Sequence, residues 1–100
     1  MKIAITSQNK KHVTGHAGKC RKFWVLEVLD NQLITKELIE LPKEASIRAS
    51  GQLPEALEGI DKFITSGMGE GMQRRLDALN IDYEIIEMIL VDDCISKYVL

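Results

Sequence analysis

The sequence predicts an α/β fold built on a mixed five-stranded sheet: an N-terminal antiparallel hairpin, right-handed parallel crossovers, and helices on both faces. Three observations carry this. Two β-rich runs flank Asp30-Asn31, the third and fourth strand-like segments are joined through a helix-patterned stretch, and helical periodicity recurs after each of the last two strands.

Lys2–Thr6 reads as a buried first strand with Ile3 and Ile5 on one face and Ala4 on the other, ended by Ser7-Gln8-Asn9. From Lys10 to Gly18 neither helical nor strand periodicity is present, which predicts a loop. Lys22–Leu29 alternates Trp24, Leu26 and Val28 against Phe23 and Val25, apolar on both faces, as expected of a strand inside the sheet. Asp30-Asn31 suits a two-residue hairpin turn because both residues tolerate left-handed backbone. Gln32–Leu41 is the returning strand, placed at an edge by Thr35, Lys36, Glu37 and Glu40.

Residues 42–52 read as a polar connection carrying Arg48 and Ser50. Leu53–Ile60 predicts a short helix with Pro54 at its first position and Gly59 as its stop. Lys62–Thr65 is the fourth strand and feeds the glycine-rich turn Ser66–Gly71. The next helix carries Met72, Leu76 and Leu79 as its apolar stripe and stops at Asn80, a residue suited to left-handed backbone. Residues 82–87 form the last strand, and 91–99 a last helix with Val91, Cys94, Ile95, Tyr98 and Val99 inward.

One hundred residues suffice for a single domain, 1–100. The first five residues are too short for the apolar region of a signal peptide, and no apolar run approaches the roughly 20 residues of a membrane helix, so a cytoplasmic location and no membrane partner are expected. Cys20 and Cys94 lie far apart, which argues against a disulfide scaffold. The formal net charge is −2, but residues 1–22 hold six basic groups and no acid. That asymmetry predicts a local anion site and no nucleic-acid partner.

Chemistry gathers in two stretches. Gly67-x-Gly69-x-Gly71 runs from a strand into a helix, where free N–H groups and the helix dipole favour an anion. The dinucleotide fingerprint fails because Met72 occupies its third glycine position, and no Gly-Lys-Ser/Thr ending marks a nucleotide hydrolase. The second stretch holds His12, His16 and Cys20 at spacings of four, among Lys19, Arg21 and Lys22. Too few ligands are present for a closed zinc site or a four-cysteine cluster. An open, partial set remains, suited to a metal centre that brings most of its own coordination. The bland alternative makes the histidines exposed loop residues and Cys20 a small buried hydrophobe. If the first strand lies beside the fourth, the loop and the glycine turn meet at one site beyond their carboxyl ends.

These stretches, in order, give the chain a resemblance. Met1–Ser7, Gly15-His16-Ala17-Gly18-Lys19-Cys20-Arg21-Lys22-Phe23, the Asp30-Asn31 hairpin, Leu53-Pro54-Glu55-Ala56-Leu57, Ser66–Gly71 and the closing segment from Asn80 are similar to the dinitrogenase iron-molybdenum cofactor biosynthesis family. The resemblance implies a three-layer α/β/α, ribonuclease H-like fold without nuclease activity. It implies a non-enzymatic carrier that transiently binds iron-molybdenum cofactor or an iron-sulfur cluster precursor, exchanging it with metallocluster donor and acceptor proteins. His16 is the candidate anchor, with Cys20 or His12 as further metal ligands; Lys19, Arg21, Gly67, Gly69 and Gly71 would neutralise and orient the cofactor. The family commonly has His-Phe-Gly where this chain has His16-Ala17-Gly18. The competing expectation is a metal-free regulatory module that binds a small anion at the glycine turn.

Overall fold

The structure, a computed structural model, describes residues 1–47 and 51–99. Five strands, β1 (Lys2–Thr6), β2 (Lys22–Leu29), β3 (Gln32–Glu40), β4 (Lys62–Thr65) and β5 (Asp82–Ile85), form one sheet in the order β3-β2-β1-β4-β5. β1–β2 and β2–β3 are antiparallel, whereas β1–β4 and β4–β5 are parallel. The α-helices among the described residues are α1 (Glu70–Ala78) and α2 (Val91–Ile95). The mixed sheet, the inner β2 and the edge position of β3 agree with the sequence reading.

Alternation along the strands divides the core in two. Ala4, Phe23, Val25 and Phe63 point to one face and pack with Met72 and Leu76 of α1 and with Ile47 and Leu57. Ile3, Ile5, Leu26, Val28 and Ile64 point to the other and pack with Val91, Cys94 and Ile95 of α2. The period-2 direction of side chains on a strand thus gives a sheet covered on both sides, a three-layer α/β/α arrangement. The hairpin turn has Asp30 at φ 52° and Asn31 at φ 63°, the doubly left-handed geometry that matches strand twist.

Four local readings are corrected. Leu53–Ile60 holds only a 3₁₀ turn, Glu55–Leu57, with Pro54 ahead of it as N-cap; Gly59, at φ 77°, does turn the chain. Leu79 is 50% exposed, because the α1 stripe ends at Leu76 and the chain reverses at Asn80. β5 ends at Ile85, two residues early: β4 itself stops at Thr65, whose carbonyl takes the last ladder bond from Ile86 N–H, and beyond it the chain turns, with Ile89 N–H donating to the Glu87 carbonyl. Regular α2 ends at Ile95 and continues as turns in which Tyr98 still packs on the core. Arg48 and Ser50 of the predicted connection lie outside the described residues.

Candidate functional site

Parallel pairing of β1 with β4 sends both strands out of the sheet at the same end. The loop after β1 and the turn after β4 are therefore neighbours. Backbone hydrogen bonds lace them together: Thr14 N–H donates to the Thr6 carbonyl at 2.9 Å, Ser66 N–H to the Thr14 carbonyl at 3.0 Å, and Ala17 N–H to the Gly67 carbonyl at 3.2 Å. Beneath this seam the Thr6 hydroxyl donates to the Thr14 carbonyl and lies 2.9 Å from Thr65 Oγ1, which is itself 3.0 Å from the Thr14 carbonyl. Both threonines are fully buried. Polar groups placed there without partners would be costly, so their pairing fixes the geometry of the two loops.

Above the seam opens a cavity of about 820 Å³, lined among others by Gln8, His16, Lys19, Cys20, Gly67, Met68, Gly69 and Met88. A smaller one of about 400 Å³ adjoins it, shares His16, Lys19 and Gly69, and adds Gly71 and Arg75. The histidine loop and the glycine turn, the two stretches singled out in the sequence, face each other across this space.

His16 is exposed and held at φ 52°, a left-handed position at which Asn, Asp and His are the better tolerated side chains. Its carbonyl accepts from Lys19 and Cys20, and this turn carries Lys19 into the cavity wall. Cys20 is buried; its thiol donates to the Lys22 carbonyl at 3.1 Å and lies 3.7 Å from Gln8 Oε1. Burial pushes its pKa above the usual thiol value, so at neutral pH it stands as a thiol and a metal would have to displace the proton. His12 is elsewhere. It forms a β-bridge with Leu90, its Nδ1 lies 3.2 Å from Asn9 Nδ2, and it does not line the cavity. Arg21 is fixed through its backbone N–H to Gln8 Oε1 and likewise does not line either space.

Gly67, Gly69 and Gly71 are not among the residues of positive φ. Their contribution is openness. A Cβ on Gly69 or Gly71 would meet nothing within 4 Å, so any side chain there would project into unfilled space. The close approach occurs instead at Gly15, where a Cβ would come 3.3 Å from Ser66 Oγ. Gly69 is the N-cap of α1 and supplies no side-chain cap.

Among the described residues no group of three His, Cys, Asp or Glu side chains gathers to hold a metal ion. What the cavity does gather is a set of single donors: one imidazole, one thiol and the thioethers of Met68 and Met88. Such a set fits a metal centre arriving with its own ligands better than a bare ion. Met88 and the threonine pair escaped the sequence reading. Thr6 and Thr65 were legible only as strand ends, and Met88 sits in an unpatterned stretch.

Residues 1–99 match the family described as Dinitrogenase iron-molybdenum cofactor. The chain belongs to that family. An uncharacterised protein of Methanocaldococcus jannaschii is 26% identical over 101 residues, spanning 98% of this chain and 85% of the relative. Among solved structures, PH0822 superposes with a TM-score of 0.82 at 24% identity, spanning 98% of this chain and 88% of the other. MJ0327 of M. jannaschii superposes with a TM-score of 0.70 at 22% identity, over 96% and 85% of the two chains. At these identities the structural likeness speaks to the fold, and the fold is the one derived above.

Proposed function

We propose that the cavity beyond β1 and β4 transiently holds an iron-sulfur-containing cofactor, the iron-molybdenum cofactor or its precursor, as cargo, and passes it between metallocluster proteins without chemical turnover. The observation that carries this is the juxtaposition of His16, Lys19 and Cys20 with the open glycine turn around one 820 Å³ space in a chain of this family. His16 supplies the anchoring nitrogen, and Cys20 a second donor once its proton is lost. Lys19 offsets the negative charge of the cargo, and N–H groups of Gly69–Gly71, at the start of α1, orient it. Partial ligation suits release as well as capture.

Anaerobic titration of the purified protein with iron-molybdenum cofactor tests the reading. Saturable uptake that weakens at least tenfold in His16→Asn is expected; asparagine is chosen because it tolerates φ 52°. No uptake by the wild type would overturn the carrier, and equal uptake by His16→Asn would overturn the anchor.

One observation favours a second reading. The 400 Å³ space pairs Lys19 and Arg75 with the open start of α1, an arrangement able to hold a small anion without metal. In that case phosphate or citrate would stabilise the protein indifferently to His16→Asn, and Gly69→Val would abolish the effect while leaving the fold intact.

A further inference from the structure

Met88 is the most exposed large apolar residue of the described chain, at 62%, while its neighbours Ile86 and Ile89 pack on the core. Its position is not that of a loose loop. Ile86 N–H donates to Thr65, Ile89 N–H to Glu87, Val13 N–H to Ile89 and Val91 N–H to Lys11, all between 2.7 and 2.9 Å. These bonds pin the residue 86–91 segment against β4 and the loop after β1, and turn Met88 toward the cavity. Met68 lines the same cavity from the glycine turn, half-buried against the α1-side core.

We propose that Met68 and Met88 form a thioether face that contacts the metal or sulfide surface of the cargo and makes the cavity selective for thiophilic metals. The inference rests on the carrier reading and names a specificity that reading leaves open. Thioethers carry no charge and need lose no proton to coordinate, and they select soft metals, whereas hard cations require carboxylate or carbonyl oxygens. No Asp or Glu lines the cavity, and its one permanent cation, Lys19, disfavours a bare hard cation further. Filling of an irregular core gap accounts for a buried methionine. It does not account for Met88, which is held in place with most of its surface in solvent.

Cu(I), the simplest thiophilic probe, and Mn(II), a hard comparator, distinguish the possibilities. Under anaerobic competition with bicinchoninate, the wild type is expected to bind Cu(I) with copper–sulfur scattering in X-ray absorption, and not to bind Mn(II). Met68→Leu/Met88→Leu, which keeps volume and apolarity, is expected to weaken Cu(I) at least tenfold and to lower the copper–sulfur coordination number, leaving Cys20 as the sulfur donor in the cavity. Circular dichroism checks that this variant folds. Cu(I) binding unchanged in the leucine variant, or absent from the wild type, overturns the thioether face. The cofactor titration separates the two readings: uptake by wild type and leucine variant alike removes only the thioether face, whereas no uptake by the wild type removes the carrier.

Discussion

Thr65 has no exposed surface, yet its Oγ1 sits within hydrogen-bond distance of the Thr6 hydroxyl, the Thr14 carbonyl and the Gly67 N–H and carbonyl. One hydroxyl thereby ties β1, the histidine loop and the glycine turn. Thr65→Val keeps the shape and removes the donor, leaving buried groups short of a partner; a loss of about 1–3 kcal/mol is expected. Urea unfolding measures it. Because Thr6 and Thr65 share the Thr14 carbonyl, adding Thr6→Val should cost less than the sum of the single changes. Additive losses would show that the two hydroxyls act separately. The same residues explain what could be read of the site beforehand. His16, Lys19 and Cys20 announce themselves by type and spacing, but a strand-end threonine looks alike whether it is solvated or locked, since only the partner strand decides.

Elements were legible where a local signal and a tertiary requirement coincide. At the end of α1, Asn80 takes φ 56°, its N–H donates to Asp77 and the Ile81 N–H donates to Leu76. This is the Schellman pattern, and Leu76 and Ile81 close it by packing in one core cluster. Glycine meets that backbone without a Cβ penalty, so Asn80→Gly is expected to raise the thermal midpoint, by an amount reduced by the greater freedom glycine has in the unfolded chain. An unchanged or lowered midpoint would mean that the Asn80 side chain contributes something its backbone does not. The segment before β4 shows the opposite case. Leu53–Ile60 has the Pro, Glu and Gly of a helix, but it buries only Leu57 and Ile60, and one turn suffices to deliver both. β3 illustrates a third. Its Lys36 reads as a solvated edge charge, yet its ammonium lies 4.6 Å from the centre of the Trp24 ring and 3.2 Å from Asp92, linking the edge strand to α2. Such cross-element pairs have no signature along the chain.

At the scale of the whole molecule, the sequence leaves β1 beside β4 as a condition, and the sheet meets it: that one adjacency joins the hairpin to the parallel half and unites the two unusual stretches. The far end of the sheet is joined differently. Lys62 on β4 donates to Glu84 on β5 at 2.7 Å, and Tyr98, beyond α2, donates to the other Glu84 oxygen at 3.1 Å, so one cluster links sheet and helical layer. The hydrogen bond from Lys62 holds the Glu84 carboxyl below the usual range, and the same bond raises Lys62. A depressed carboxylate stabilises the fold above its unfolded pKa of about 4.3, and the contribution is lost as pH falls through the lower folded value. A raised lysine stabilises below its unfolded pKa of about 10.4 and is lost as pH rises through the higher folded value. The pair therefore acts between roughly pH 5 and 10. Glu84 is nearly half exposed, so solvent screening limits its worth to about 0.2–1 kcal/mol. Glu84→Gln should lower stability by that amount at pH 7, flatten the decline between about pH 5 and 3, and lose most of its effect in 1 M salt, where the Debye length is about 3 Å. Urea midpoints across that pH range provide the measurement. An acid limb equally steep in wild type and variant would assign the acid sensitivity to other carboxylates and leave the Lys62–Glu84–Tyr98 cluster as packing alone.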